Sequence, residues 1–74
     1  MREDVKRIMA KVFSVEPGSI SDDIAYGIHE KWDSIHHLNL IVELESNFSV
    51  FFEPEEIQIM TNIDRIIDCI IRKK

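Results

Sequence analysis

"KWDSIHHLNL", residues 31–40, sets a lone serine between an aspartate and an isoleucine, where a polar stretch gives way to apolar residues at helical spacing. Asp33 suits a helix N-cap, because its carboxylate can accept an orphan backbone N–H of the first turn. Ile35, Leu38, Ile41, Leu44 and Phe48 follow as a helical stripe, which Leu40 and Val42 widen. The helix starting here is expected to be the most buried of the set.

Upstream, Val5, Ile8, Met9, Val12 and Phe13 fall at i, i+3, i+4, i+7 and i+8, which predicts a helix over about residues 3–14 that Pro17 and Gly18 end. From Ser14 to Lys31 the chain reads as a long loop whose isolated apolar residues, Val15, Ile20, Ile24, Tyr26 and Ile28, dip into the core. Downstream, residues 47–52 break the pattern, and Pro54 suits the first position of a short helix through "PEEIQIM". Thr61 resembles a cap with Asp64 three residues on. Ile63, Ile66, Ile67, Ile70 and Ile71 then repeat the helical spacing, with Arg72, Lys73 and Lys74 at the end where the helix dipole favours cations. No run reads as a strand. The expected architecture is all-α: three substantial helices and one short one, packed as a small bundle, with a long loop between the first two.

Length and composition bound what such a chain can do. Its 74 residues make one domain, 1–74, with room for a small core only, so a deep catalytic cleft is not expected. No apolar run reaches membrane-spanning length and no leader pattern is evident, so a cytoplasmic protein without membrane insertion is expected. Cys69 is the single cysteine, which excludes an internal disulfide and a thiolate zinc cluster and reads as a small apolar residue on a packed helix. Between Glu16 and Asp64 stand eleven acids against Lys31 alone, a net charge of −10, while the two ends carry +5. That middle section would repel a phosphate backbone, and on charge alone it suits equally a basic protein partner or an acidic face kept for solubility.

Three roles are open to Ser34. As a nucleophile it has His37 at i+3, on the same side of the helix, but the chain lacks a G-x-S-x-G elbow and a glycine-rich loop for an oxyanion. Metal binding by His29, His36 and His37 is equally ill-served. Adjacent histidines diverge by about 100° on a helix and form no i, i+4 zinc pair, so they read as surface residues. As a cap, Asp33 serves better than Ser34 does. As an attachment point, a hydroxyl at a helix N-terminus would hold a covalently bound phosphate where N–H groups and the dipole favour negative charge.

The triplet "DSI", the apolar "LIVELE", the "PEE" segment and the final "MTNIDRIIDCI" together resemble the acyl carrier protein family, and the likeness runs from Val5 to Ile71. An Asp-Ser-aliphatic triplet alone is common. Its place after a long loop, with two further helices behind it, makes the combination specific. The resemblance implies a four-helix bundle without catalysis of its own, in which Ser34 carries a 4'-phosphopantetheine arm beside Asp33 and Ile35. It implies acyl intermediates held as thioesters at the arm's tip, and partners that include a phosphopantetheinyl transferase using coenzyme A and Mg²⁺ and acyl-loading and acyl-transferring enzymes with basic surfaces. Leu38, Leu40, Ile41, Leu44 and Phe48 match core positions of the second helix. Ile35, Val42 and Glu45 match residues that face partners, while His36 and Asn39 replace the usual acids of primary fatty-acid carriers. With Trp32 before the motif, this points to a monomeric carrier for a specialised lipid, polyketide, peptide or polysaccharide-modification pathway.

A second reading makes the same bundle a helical adaptor, which binds a partner helix in an apolar groove without covalent modification.

Overall fold

Val5, Ile8, Met9 and Phe13, spaced at helical intervals, form with Ala10 the buried side of α1 (Arg2–Phe13) in the computed structural model, which describes residues 1–73. The helix stops before Pro17 and Gly18 are reached. Ser14 takes the left-handed conformation (φ 57°, ψ 47°), and its N–H returns to carbonyls of the last turn. The helix thus ends within a residue of the expected place, but on a left-handed Ser14 rather than on Pro17 and Gly18, a cap that a non-glycine residue does not advertise. Pro17 instead opens a single 3-10 turn, Pro17–Ser19.

Of the apolar residues in the connection, Ile20 and Ile24 are buried and Val15 packs at the edge of the core. Tyr26 and Ile28 do not dip inward as expected; Ile28 is 83% exposed. Gly27, at φ 81°, turns the chain between them, and its N–H donates to the Trp32 carbonyl (3.1 Å). The turn drives Trp32 into the core, 1% exposed. An isolated antiparallel bridge between Ala25 and Asn62, with the Tyr26 N–H on the Thr61 carbonyl (2.9 Å), ties this segment to the far end of the chain.

The second helix, α2 (Ser34–Phe48), buries His37, Leu40, Ile41 and Leu44. The expected stripe is therefore rotated. Ile35, Leu38 and Val42 are exposed and Phe48 is only partly buried. The buried set keeps the i, i+3, i+4, i+7 spacing with a histidine in its first position. A reading that counts only apolar side chains therefore starts the stripe on a neighbouring face.

Pro54 opens the short α3 (Pro54–Ile59), in which no residue is buried; Phe52 before it and Met60 after it are. In α4 (Ile63–Lys73) the buried side is Ile63, Ile66, Cys69 and Ile70, with Ile67 at its edge and Ile71 exposed. The cap of α4 is Asn62 rather than Thr61: the Asn62 side-chain oxygen accepts the Arg65 N–H at 2.8 Å. Burial pushes the Cys69 thiol up, as suits a packed residue.

Among the described residues these four α-helices and the 3-10 turn are the regular structure, and no helix is long and apolar enough to cross a membrane. The first helix packs against α2 and α4.

Candidate functional site

Asp33, in extended conformation (φ −111°, ψ −173°), ends the connection and caps α2. Its carboxylate accepts the His36 N–H at 2.9 Å and meets the His36 ring Nδ1 at 2.8 Å. The backbone donor first, then the imidazole contact, hold the Asp33 carboxyl below the usual carboxylate range. Because the cap falls to Asp33, Ser34 at the first helical position has no such duty and lies exposed.

The Ser34 hydroxyl has a protein neighbour at hydrogen-bonding distance that the sequence does not suggest: the Tyr26 hydroxyl, 3.0 Å away. Both residues open onto a cleft of about 360 Å³, whose walls include His37, Leu38, Ile57 and Thr61. The surface inside is mostly apolar. One side of the cleft is thus α2 and the other is α3 with the residues that follow it.

A buried hydrogen-bonded chain joins these walls. The Trp32 indole Nε1–H donates to His37 Nδ1 (2.9 Å), and His37 Nε2 lies 2.9 Å from the Ile57 carbonyl oxygen. An indole can only donate, so Nδ1 is the acceptor and the neutral ring carries its proton on Nε2, which donates to Ile57. The Ile57 carbonyl lies in the last turn of α3, where carbonyls lack a full set of intrahelical partners. His37 therefore closes the end of α3 from α2. This corrects the expectation of surface histidines: His37 is 8% exposed. With both ring nitrogens engaged, it is not placed to act as base for Ser34.

Around this chain the rings gather. Tyr26 meets His37 edge-on at 5.2 Å and Trp32 at 6.4 Å, while Phe13 of α1 stacks with His29 at 5.8 Å and meets His36 at 6.1 Å. His36 is therefore partly covered. Among the described residues no group of three or more His, Cys, Asp or Glu is arranged to hold a metal ion.

The residues expected to face partners divide. Ile35, at 71% exposure, and Val42, at 61%, share one outward face of α2 with Leu38, at 60%. Leu38, expected in the core, is not there. Asn39 is exposed and borders a shallow depression with Val42, Lys11, Val12 and Glu43. Glu45 is turned inward along the chain, where its carboxylate accepts the Phe52 N–H at 2.9 Å. Sequence reasoning does not mark Tyr26, Trp32 or Ile57 as site residues. The proximity of tryptophan and histidine in "WDSIHH" is the available signal, but their pairing depends on the turn at Gly27.

No family model matches the chain, and no curated protein matches it.

Proposed function

We propose that the protein is an acyl carrier: a small, monomeric, cytoplasmic four-helix bundle that holds acyl groups as thioesters on a 4'-phosphopantetheine arm at Ser34 and performs no catalysis itself. The observation that carries this reading is the exposed Ser34 hydroxyl at the first residue of an independently capped helix, beside a mostly apolar cleft. The residues present fit the group. The capping carboxylate takes the His36 N–H and leaves the Ser34 and Ile35 N–H groups at the open end of α2, where a phosphodiester is favoured.

The arm, when bound, supplies the thiol on which acyl groups are carried. The chain's own residues do the rest. Asp33 fixes where the helix begins and hence where Ser34 projects. Ile35, Leu38 and Val42 offer partner enzymes an apolar face next to the attachment point. His36 and Asn39 occupy positions where arginine-rich partners of primary fatty-acid synthesis would seek acids. Each missing surface pair weakens such a partner by about 0.2–1 kcal/mol, which favours the enzymes of a specialised pathway.

The same exposed stripe favours a second reading, a non-covalent helical adaptor. One experiment separates them. Intact mass is measured after incubation with a phosphopantetheinyl transferase, coenzyme A and Mg²⁺, for the wild type and for Ser34→Ala. A carrier gains one arm in the wild type and none in the variant. An unchanged wild-type mass, with the transferase active on another carrier, overturns the carrier and favours the adaptor.

A further inference from the structure

The Tyr26 hydroxyl is positioned by the backbone rather than by chance. Its own N–H is held by the Thr61 carbonyl (2.9 Å), the preceding residue bridges to Asn62, and the following Gly27 N–H is held by Trp32 (3.1 Å). The ring is further fixed by its edge-on contacts with His37 and Trp32. A tyrosine anchored on both flanks, in an otherwise irregular connection, brings its hydroxyl to 3.0 Å from Ser34 Oγ and lines the same cleft. A serine at the first position of a helix otherwise turns freely among its staggered rotamers.

We infer that Tyr26 is a positioning residue for the modification of Ser34: its hydroxyl holds Oγ at the mouth of the cleft, and then donates to the phosphodiester that replaces the serine proton. The inference rests on the carrier reading. In the loading step Ser34 Oγ forms a bond to the phosphorus of coenzyme A that bears the pantetheine. The bond from that phosphorus to the adenosine bisphosphate half breaks, and this half leaves with the electron pair. The serine proton passes to a base on the transferase. No electrons are gained or lost.

The hydrogen-bond pattern changes with this step. In the free chain either hydroxyl can donate. After loading, Oγ has no proton, so the contact survives only with Tyr26 as donor. The anionic phosphoryl oxygens are then the stronger acceptors. Tyr26 would hold the phosphodiester on the cleft side of α2, so that the arm starts toward the cleft rather than away from it.

Tyr26→Phe tests this, since it keeps the ring on His37 and Trp32 and removes only the hydroxyl. Wild type and variant are loaded with a transferase, coenzyme A and Mg²⁺, and loading rates and phosphorus NMR spectra are compared. The expected result is a kcat for loading lowered about two- to ten-fold, an unchanged KM for coenzyme A, and a displaced phosphorus resonance in the loaded variant. A variant that melts earlier but loads at the wild-type rate and keeps the wild-type resonance has lost packing only, and this overturns the inference. Failure of the wild type to load overturns the carrier reading instead. The hydroxyl pair is then still read in the unmodified chain, where Ser34→Ala should shift the Tyr26 ring-carbon resonance; an unmoved resonance refutes the pair itself.

Discussion

The consecutive helices α3 and α4 are held by different forces. In α4 a full apolar side, Ile63, Ile66, Cys69 and Ile70, is removed from water. In α3 no residue is fully buried and only Ile57 packs at the edge of the core, so a set of directed polar contacts carries more of its attachment. The Glu56 carboxylate accepts the Glu53 N–H (2.7 Å) and pairs with Lys73 (2.7 Å), and His37 reaches the Ile57 carbonyl. Apolar burial is non-directional and adds with area, whereas a hydrogen bond is lost once its geometry is lost. A helix of the second kind can shift on the surface of a core that stays intact. Here that helix forms one wall of the cleft beside Ser34.

The largest effect is expected where apolar area dominates. Ile66 is fully buried, and Ile66→Ala should cost about 2–5 kcal/mol through lost transfer energy and the cavity left behind. A core of this size supplies only about 3–5 kcal/mol, so urea unfolding followed by circular dichroism should show most of the stability gone and a substantial unfolded fraction already present without denaturant. A variant as stable as wild type would mean that α4 is not the pillar its burial suggests.

His37→Ala comes next and should divide the two helices. It orphans the Trp32 indole N–H, leaves the Ile57 carbonyl with only the long Met60 N–H contact (3.4 Å), costs about 1–3 kcal/mol, and releases α3 from α2. Hydrogen exchange should quicken at the end of α3 while the amides of α4 keep their relative protection. Equal acceleration in both helices would show that they form one cooperative unit.

Acid should act on the same contrast more gently. Contact with Lys73 first, and with the Glu53 N–H second, holds the Glu56 carboxyl below its ordinary value. A carboxyl whose folded value is lowered contributes stability above its unfolded value, and that contribution is lost as pH falls through the folded one. Below about pH 4.5, therefore, α3 should loosen before α4 does, and Glu56→Gln should remove this step from the titration. An α3 that stays protected until global unfolding would assign its stability to Phe52 and Met60 instead.

What is legible in the sequence follows the same division. The α4 face is readable because isoleucines at helical spacing report burial directly, and Pro54 and Asp33 mark helix starts by chemistry that is local to each residue. The polar pins are not readable. His37 counts as polar in any periodicity, although its hydrogen bonds to nearby Trp32 and distant Ile57 make it part of the core, and so the buried face of α2 is misplaced toward Ile35 and Leu38. Tyr26 beside Ser34 depends on a turn at Gly27 and a bridge to Asn62, neither of which any local spacing encodes. Asp33 and Ser34 can be found because a helix start needs only its neighbours.

The smallest effect on stability is expected at Ser34 itself. Its side chain is exposed, the cap is made by Asp33, and alanine is the better helix former at this position. Ser34→Ala removes a hydroxyl pair at the surface, for which water can substitute on the Tyr26 side. Stability should change by no more than about 1 kcal/mol, with the urea midpoint nearly unmoved. Hydrogen exchange in α3 and in α4 should be the same as in wild type, while arm attachment is lost entirely by intact mass. If Ser34→Ala instead loosens α3 as His37→Ala does, the serine belongs among the pins of the cleft wall, and its exposure is not the mark of a residue kept free for modification.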